Sequence, residues 1–217
     1  MKFNEFTEIT SLADDDILLV QECSTLAIKK LKLSTLKTYL GFVNSNEQRL
    51  NYFSDGDTNG VFYWLGSKSN TQLWQNPQTI NKASFASSGV NQGALSDLTD
   101  RSSSNFFTTD GASNNFVSLD LGAGHSLVCN YYSIQARNVA NYYPRSWKLQ
   151  GCNDNISWAN LDEQNNNQSL NNPSSWLSIS VTSTIAYRYF RILLASPNSS
   201  GSNQLCFGEL EFYGTYK

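Results

Sequence analysis

Short apolar runs recur along the chain from about residue 50 onward, and several of them alternate apolar with polar positions. Alternation with a period of two is typical of strands that bury one face. Asn, Gly, Ser or Pro separates the runs, as in the tight turns between antiparallel strands. The runs lie at 116–121, 131–136, 147–150, 176–181, 187–194 and 210–213. The pattern therefore predicts an all-β antiparallel sandwich over residues 55–217.

Residues 1–42 show a different pattern. An acidic turn leads into an apolar run at 16–20, and apolar and basic residues partly alternate at 26–33, so both runs predict strands. Ser34 would cap a short helix over 34–40 that ends at Gly41. A β-β-α unit this small cannot bury enough surface to be stable alone. We therefore expect it to pack on the sandwich, on a partner or on copies of itself, joined by a polar linker at 43–54.

The composition restricts the class of protein. Of 217 residues, 40% are hydrophobic and 13% aromatic, which is enough apolar material for a core, and the net charge is −3. This charge gives no basic footprint for nucleic acid and no attraction to an anionic membrane. No apolar run approaches the ~20 residues of a membrane-spanning helix. The polar start of the chain lacks the apolar segment of a signal peptide, which predicts synthesis in a cytoplasm.

Catalytic and zinc-binding patterns do not stand out. The chain has one histidine, His125, which we place in a surface turn, and its only cluster of carboxylates is at 14–16. A Ser-His-Asp or Cys-His arrangement is therefore not expected, and we predict that the protein is not an enzyme. The four cysteines lack the close spacing of a zinc site. We expect Cys129, Cys152 and Cys206 to be buried free thiols.

Three motifs occur in order in the second half of the chain. Residues 116–122 end in Asp-Leu-Gly, residues 143–147 read Tyr-Pro-Arg-Ser-Trp, and residues 151–158 run from Gly-Cys-Asn-Asp to a tryptophan. Together they resemble the discoidin domain, also called the coagulation-factor type C domain. The resemblance implies a β-sandwich whose relatives bind sugars, lipid head groups or protein surfaces. It thus favours a recognition module over an enzyme.

In this fold the loops at one end of the sandwich carry the binding residues, because a rigid scaffold presents variable side chains there. Three loops are candidates: a polar loop at 64–74 flanked by tryptophans, the loop at 137–143, and a glycine-serine tip at 198–204. In-strand tryptophans are more often buried than exposed. We therefore expect Trp147 and Trp158 to be core anchors.

A sugar site needs an aromatic face for the C–H side of the ring and fixed donors and acceptors for its hydroxyls. Arg137, Asn138 and Asn141 would supply the hydrogen bonds, with Tyr142 or Trp74 as the aromatic platform. The alternative is that Tyr142 only covers the end of the sandwich and that Arg137 pairs with another side chain in a purely structural role.

The stretch 98–105 resembles the calcium loop of discoidin-like sugar modules, and 208–210 supplies their glutamate. The predicted oxygen ligands are Asp100, Ser104 or Asn105, and Glu209. Such hard donors suit Ca²⁺ in a structural role. Arg101 stands where the family usually has a glycine. The alternative is a loop closed by side-chain hydrogen bonds, with Glu209 paired to an arginine such as Arg188.

The segment 1–42 resembles an N-terminal element of bacteriophage virion and tail-fibre proteins, on the residues 16–20, 29–31 and 34–40. In such proteins the element attaches to the particle or helps to form a trimer. The resemblance therefore implies other virion proteins as partners through residues 1–42, a homo-oligomer with a trimer favoured, and a location in the virion.

Taken together, the sequence predicts a virion structural protein of tail-fibre or adhesin type whose sandwich binds a glycan on the host surface. Linked weak sites would raise avidity by ~10²–10⁴. The main alternative is a structural protein without a ligand, such as a baseplate, fibre-connector or capsid-decorating protein. A third hypothesis is the binding module of a carbohydrate-active enzyme.

Overall fold

The computed structural model describes residues 17–21, 28–32 and 47–217. The chain divides into two compact units, Met1–Glu47 and Gln48–Lys217. Within the described residues no helix is long and apolar enough to cross a membrane.

The first unit contains a pair of antiparallel strands. Strand β1 (Ile17–Gln21) pairs with β2 (Ile28–Lys32), so that Ile17 lies opposite Lys32. The two strands predicted in this segment are therefore confirmed. The helix predicted over 34–40 lies outside the described residues.

The second unit consists mainly of strands, with one short helix, α1 (Val61–Gly66), and a 3-10 turn at Leu95–Thr99. Its strands are β3 (Gln48–Leu50), β4 (Ser84–Ser87), β5 (Phe107–Thr108), β6 (Phe116–Asp120), β7 (Leu127–Gln135), β8 (Ser146–Cys152), β9 (Ala159–Gln164), β10 (Trp176–Ser180), β11 (Tyr189–Ser196), β12 (Cys206–Phe207) and β13 (Leu210–Tyr216).

These strands form two main antiparallel sheets. One has the order β10-β7-β13-β3 and the other the order β4-β6-β11-β8-β9, while β5 and β12 form a small pair. The predicted all-β antiparallel sandwich is confirmed. β13 has seven residues, so it spans about 20 Å. We call the end of the sandwich where β7 ends and β13 begins the loop end, and the opposite end the terminal end.

The core lies between the two sheets, as alternation predicts. In β6, Val117 and Leu119 are buried while their neighbours are half-buried. Tyr132 of β7 joins the sheets through its hydroxyl, which accepts a hydrogen bond from Trp147 Nε1 at 2.9 Å and donates one to Asp162 at 2.7 Å. The buried indole and phenol thus have polar partners, which avoids the cost of unpaired polar groups.

One of the two predicted core anchors, Trp158, lies outside the core. Trp147 is fully buried, as expected, but Trp158 is half-buried and lies outside the core cluster. The guanidinium carbon of Arg191 lies 4.3 Å from the centroid of a Trp158 ring. The prediction for Trp158 was wrong because a cation from β11 covers the indole in place of apolar core residues.

The predicted loop at 64–74 begins inside helix α1. A carboxylate from the last strand stabilises the start of this helix: Glu211 accepts hydrogen bonds from the backbone N–H groups of Phe62 at 2.8 Å and Tyr63 at 3.2 Å. Gly60 leaves room for this contact, since a Cβ there would lie 2.2 Å from Glu211 Cδ. Burial raises the pKa of Glu211 to about 7.

The segment at 43–54, predicted as a linker, contributes strand β3. This strand pairs with β13, with Gln48 opposite Tyr216 and Leu50 opposite Gly214. The first and last strands of the unit are therefore neighbours at one edge of the four-stranded sheet. Cys129, Cys152 and Cys206 are buried free thiols, as predicted.

Candidate functional site

Three loops meet at the loop end of the sandwich. Asn138, which follows β7, donates a hydrogen bond from Nδ2 to the backbone oxygen of Ser104 at 2.7 Å. The backbone N–H groups of Tyr142 and Tyr143 donate to the hydroxyls of Ser200 at 3.2 Å and Ser199 at 2.9 Å. The structure therefore brings the loop at 137–143 together with the glycine-serine tip and with the predicted metal loop.

Arg137 lies between two aromatic rings. Its guanidinium carbon is 4.4 Å from the ring centroid of Phe106 and 5.4 Å from that of Tyr142. Within the part of the chain that the structure describes, Arg137 forms no ion pair, and its buried Nε has no hydrogen-bond partner. The rings thus hold the cation in place, and no acidic side chain among these residues neutralises it.

Asn138 carries a second unpaired polar atom. Its Oδ1 is buried and accepts no hydrogen bond from residues 47–217, while its Nδ2 donates to the backbone oxygen of Ser104. Buried side-chain polar atoms are usually paired with protein or water. Asn138 Oδ1 and Arg137 Nε are therefore two buried polar atoms at the loop end without a hydrogen-bond partner among the described residues.

The backbone at Asn141 and Tyr142 is in the left-handed region, with φ of +72° and +58°. Such conformations cost free energy in residues other than glycine and persist only when the surroundings hold them. The two serine hydroxyls of the glycine-serine tip supply that support. The Tyr142 ring is held half-buried beside Arg137, and Asn141 is exposed next to it.

Trp74, the other predicted platform, is not part of this cluster. It lines a cavity of about 280 Å³ together with Tyr63, Arg101 and Trp176. Its indole Nε1 is buried and has no partner within the described residues. Of the five predicted ligand-binding residues, the structure groups four around Arg137 and places Trp74 in this neighbouring cavity.

Sequence reasoning missed a second aromatic cleft beside Arg137. Trp176, the first residue of β10, lies opposite Gln135, which is two residues before Arg137 in the chain. Trp176 and Gln135 line a cleft of about 440 Å³ with Arg101, Ser103 and Glu209. The predicted alternation placed Trp176 in a strand, but only the pairing of that strand with β7 shows that it lies at the loop end.

The predicted metal residues Asp100 and Glu209 are brought together. One backbone N–H, that of Ser102, donates to Asp100 Oδ1 at 2.8 Å and to Glu209 Oε1 at 2.9 Å. Burial, together with the neighbouring Asp100 carboxylate, raises the pKa of Glu209 to about 9. Asn105 is beside them and donates its amide N–H to Asp100 Oδ2. The two acids therefore share a single backbone donor.

The alternative prediction, in which Glu209 pairs with Arg188, was wrong. Arg188 donates two hydrogen bonds to Asp120, from Nε at 2.6 Å and from Nη2 at 2.8 Å. This pair lies at the terminal end, because Asp120 ends β6 and lies opposite Tyr189, the first residue of β11. Arg188 is therefore engaged at the opposite end of the sandwich from Glu209.

Arg101 occupies the position where a glycine was expected, and its φ is +61°. Its side chain compensates for this strained backbone by donating to the backbone oxygens of Gly56 at 2.8 Å and Asp57 at 3.1 Å. The guanidinium carbon also lies 4.9 Å from the centroid of the Tyr63 ring. The loop thus keeps the left-handed turn without a glycine.

The side chains of Asp100, Asn105 and Glu209 fit a hard cation in the kind of donor they offer. Calcium takes six to eight oxygen ligands from carboxylates, amides, backbone carbonyls and water. The described residues contain no group of three His, Cys, Asp or Glu side chains that could hold a metal. A cation here would therefore need amide, hydroxyl or backbone oxygens in addition to the two carboxylates.

A family model for the F5/8 type C domain matches residues 79–207. The chain belongs to this family. The matched part contains Asp100, Arg137 and Tyr142 and ends at the last residue of β12, so β13 lies beyond it.

Solved structures with the same architecture include two proteins from Clostridium perfringens. CpGH89CBM32-5, in complex with GalNAc-beta-1,3-galactose, is 16% identical with a TM-score of 0.52, and the match covers 64% of this chain and 99% of that one. The family 32 carbohydrate-binding module of NanJ, in complex with galactose, is 15% identical with a TM-score of 0.50, covering 65% and 97%. At these identities the likeness shows the fold.

Relatives among characterised proteins are much longer. The BTB/POZ domain-containing protein At2g30600 of Arabidopsis thaliana is 28% identical over 186 residues, which are 80% of this chain and 23% of that protein. The E3 ubiquitin-protein ligase hecd-1 of Caenorhabditis elegans is 33% identical over 174 residues, which are 76% and 6%. The chain thus spans less than a quarter of either relative. Neither relative supports the predicted phage likeness of residues 1–42.

Proposed function

We propose that this F5/8 type C domain is a carbohydrate-binding module and that its site is the cluster around Arg137 at the loop end. The observation that carries the proposal is the Arg137 guanidinium, held between the Phe106 and Tyr142 rings with no ion pair among the described residues. Fixed polar groups beside an aromatic ring are what a sugar ring requires. Two structures with the same fold that hold sugars support this assignment.

The roles follow from the positions of the side chains. Tyr142 offers its ring to the C–H face of a sugar, and Arg137 donates to the hydroxyls. The exposed Asn141 supplies further hydrogen bonds, and Asn138 ties the loop to Ser104 through its amide. A second sugar unit would extend into the neighbouring cleft lined by Trp176 and Gln135.

The test is a glycan array with the whole chain, followed by calorimetric titration of the best ligand against Arg137→Ala and Asn141→Ala. Lys148→Ala is the matched control, since it also removes one positive charge but lies in β8 and pairs with Glu163. Loss of a charge-assisted hydrogen bond should weaken binding at least about tenfold in Arg137→Ala. Unchanged affinity in both site variants would contradict the proposal.

We also propose that Ca²⁺ binds at Asp100 and Glu209 and supports the site indirectly. The metal loop carries Ser104, whose backbone oxygen holds the Asn138 amide. A cation would replace the proton that the two acids otherwise share and would fix the loop, and with it Asn138. Chelation with EDTA should therefore weaken sugar binding without unfolding the protein.

The predicted virion location, with trimer formation through residues 1–42, is a separate proposal supported by the sequence pattern of that segment alone. Light scattering coupled to size-exclusion chromatography on the whole chain should give three times the monomer mass. A monomer at every concentration tested would contradict trimer formation without affecting the proposed sugar site.

A further inference from the structure

A second groove lies at the terminal end of the sandwich, away from Arg137. It is an open groove, and its empty volume of about 590 Å³ includes its solvent-exposed mouth. Its walls come from α1 and the loop after it, from the start of β4, from the turn after β6 and from the end of β13. We call it the terminal groove, and its main lining side chains are Trp64, Lys68, Lys82, His125 and Tyr216.

Three aromatic rings form one wall of the terminal groove. The Trp64 and Tyr216 rings are 5.3 Å apart and tilted by 55°. His125, exposed in a surface turn as predicted, stacks on Tyr216 with its ring centroid 5.4 Å away and an interplanar angle of 16°. Tyr216 is buried and Trp64 half-buried, so the rings present a partly covered apolar surface to the groove.

The groove also has positive charge that is not neutralised. Lys68 and Lys82 are exposed, and neither forms an ion pair within residues 47–217. An adjoining cavity of about 580 Å³ shares Lys82 and His125 and includes one acid, Asp120. That acid already holds Arg188 through two hydrogen bonds, so its charge is compensated.

The position of Lys68 is fixed by the loop that follows α1. Lys68, Ser69 and Asn70 all have left-handed backbone, with φ of 46°, 60° and 62°. The N–H of Ser69 donates to the Trp64 backbone oxygen at 3.0 Å, and that of Asn70 donates to Ser67 Oγ at 3.0 Å. These bonds fix the backbone that carries Lys68 close to Trp64, so that the exposed side chain is what binding would have to order.

We propose that the terminal groove is a second binding site, for a sugar that carries a carboxylate or sulfate group. The rings of Trp64 and His125 suit the C–H face of a pyranose, and Lys68 and Lys82 suit its anionic substituent. β13 has seven residues, so this site is about 20 Å from Glu209 at the loop end. The two sites are separate, and the second does not depend on the first.

The test uses three probes of equal length: a tetrasaccharide of galacturonic acid, a sulfated galactose tetrasaccharide, and neutral galactotetraose. Calorimetric titrations of the whole chain at low ionic strength compare the wild type with a Lys68→Gln and Lys82→Gln double variant. These lysines are exposed, so the double variant should fold normally. We expect it to lose at least about tenfold in affinity for the acidic probes, and binding to weaken with added salt.

Arg137→Ala and the double lysine variant together separate this site from the proposed loop-end site. Arg137→Ala should leave binding of the acidic probes unchanged, and the double lysine variant should leave loop-end binding unchanged. The carboxylated and sulfated probes show which anionic group the groove prefers. In the Arg137→Ala background, where the proposed loop-end site does not contribute, equal affinity for the neutral probe would overturn the proposal. So would loss of acidic binding only in Arg137→Ala, or capture of an acidic peptide but of neither acidic sugar.

Discussion

The pair Asp100 and Glu209 links calcium binding to proton release. Without a cation, the pKa of Glu209 is raised to about 9 by burial and by Asp100. Because pH 7 lies well below this pKa, the carboxyl is mostly protonated there. Calcium requires the ionised form. Binding at pH 7 should therefore release close to one proton per protein.

The same shift sets the direction of the pH dependence. The pKa of Glu209 in the folded protein lies above the ordinary value of 4.5, so the folded state binds the proton more tightly than the unfolded chain. The resulting stabilisation is present below pH 4.5 and is lost as the pH rises towards 9. The slope is at most about 1.4 kcal/mol per pH unit for one group. Calcium should remove this loss at neutral and alkaline pH.

The assay combines thermal unfolding with calorimetry. Calcium at 100 times its Kd should add about 2.7 kcal/mol of stability, which raises Tm by roughly 5–10 °C for a chain of this size. Titrations in two buffers of different ionisation enthalpy count the released protons. Glu209→Gln, which keeps the shape of the side chain but does not titrate, should lose both effects. A wild-type protein whose Tm and proton count do not respond to calcium would refute the reasoning.

Three further predictions concern stability. Tyr132→Phe should cost about 1–3 kcal/mol in urea unfolding, because the buried Trp147 Nε1 loses its partner and the Asp162 carboxylate keeps only Gln164; a loss below 0.5 kcal/mol would contradict this. Gly60→Ala should lower Tm, since its Cβ would meet the Glu211 carboxylate. Glu211→Gln should flatten the fall in stability between pH 4.5 and about 7, measured by denaturant unfolding at each pH, because the raised pKa of Glu211 is removed.

Most strands of the two main sheets were predictable because each alternates or forms an apolar run in its own sequence, but β4 and β9 were not among the predicted runs. β3 was not, because only Leu50 of its three residues is buried and the strand is held by β13 rather than by its own pattern. Helix α1 was missed for a similar reason. Its six residues depend on Glu211, which is about 150 positions away in sequence.

For the candidate site, the residues near Arg137 were predictable because they occur in one short loop. Which ring lies next to Arg137 was not, since Phe106 comes from a different loop and Trp74 belongs to another cavity. Trp176 was missed because strand pairing, which the sequence of one strand does not show, sets its position. The terminal groove likewise joins side chains from α1, β13 and two loops.

The pairing of β3 with β13 has a consequence for how this module is built into longer proteins. Gln48 lies opposite Tyr216, so the chain enters and leaves the domain at neighbouring positions, about 5 Å apart. A domain with adjacent entry and exit points can be inserted into a host polypeptide without separating the flanking segments. The loop end would then project about 20 Å from the point of attachment. A fragment cut at the family-model limits, 79 and 207, would remove both β3 and β13, and expression designs should instead begin before Gln48.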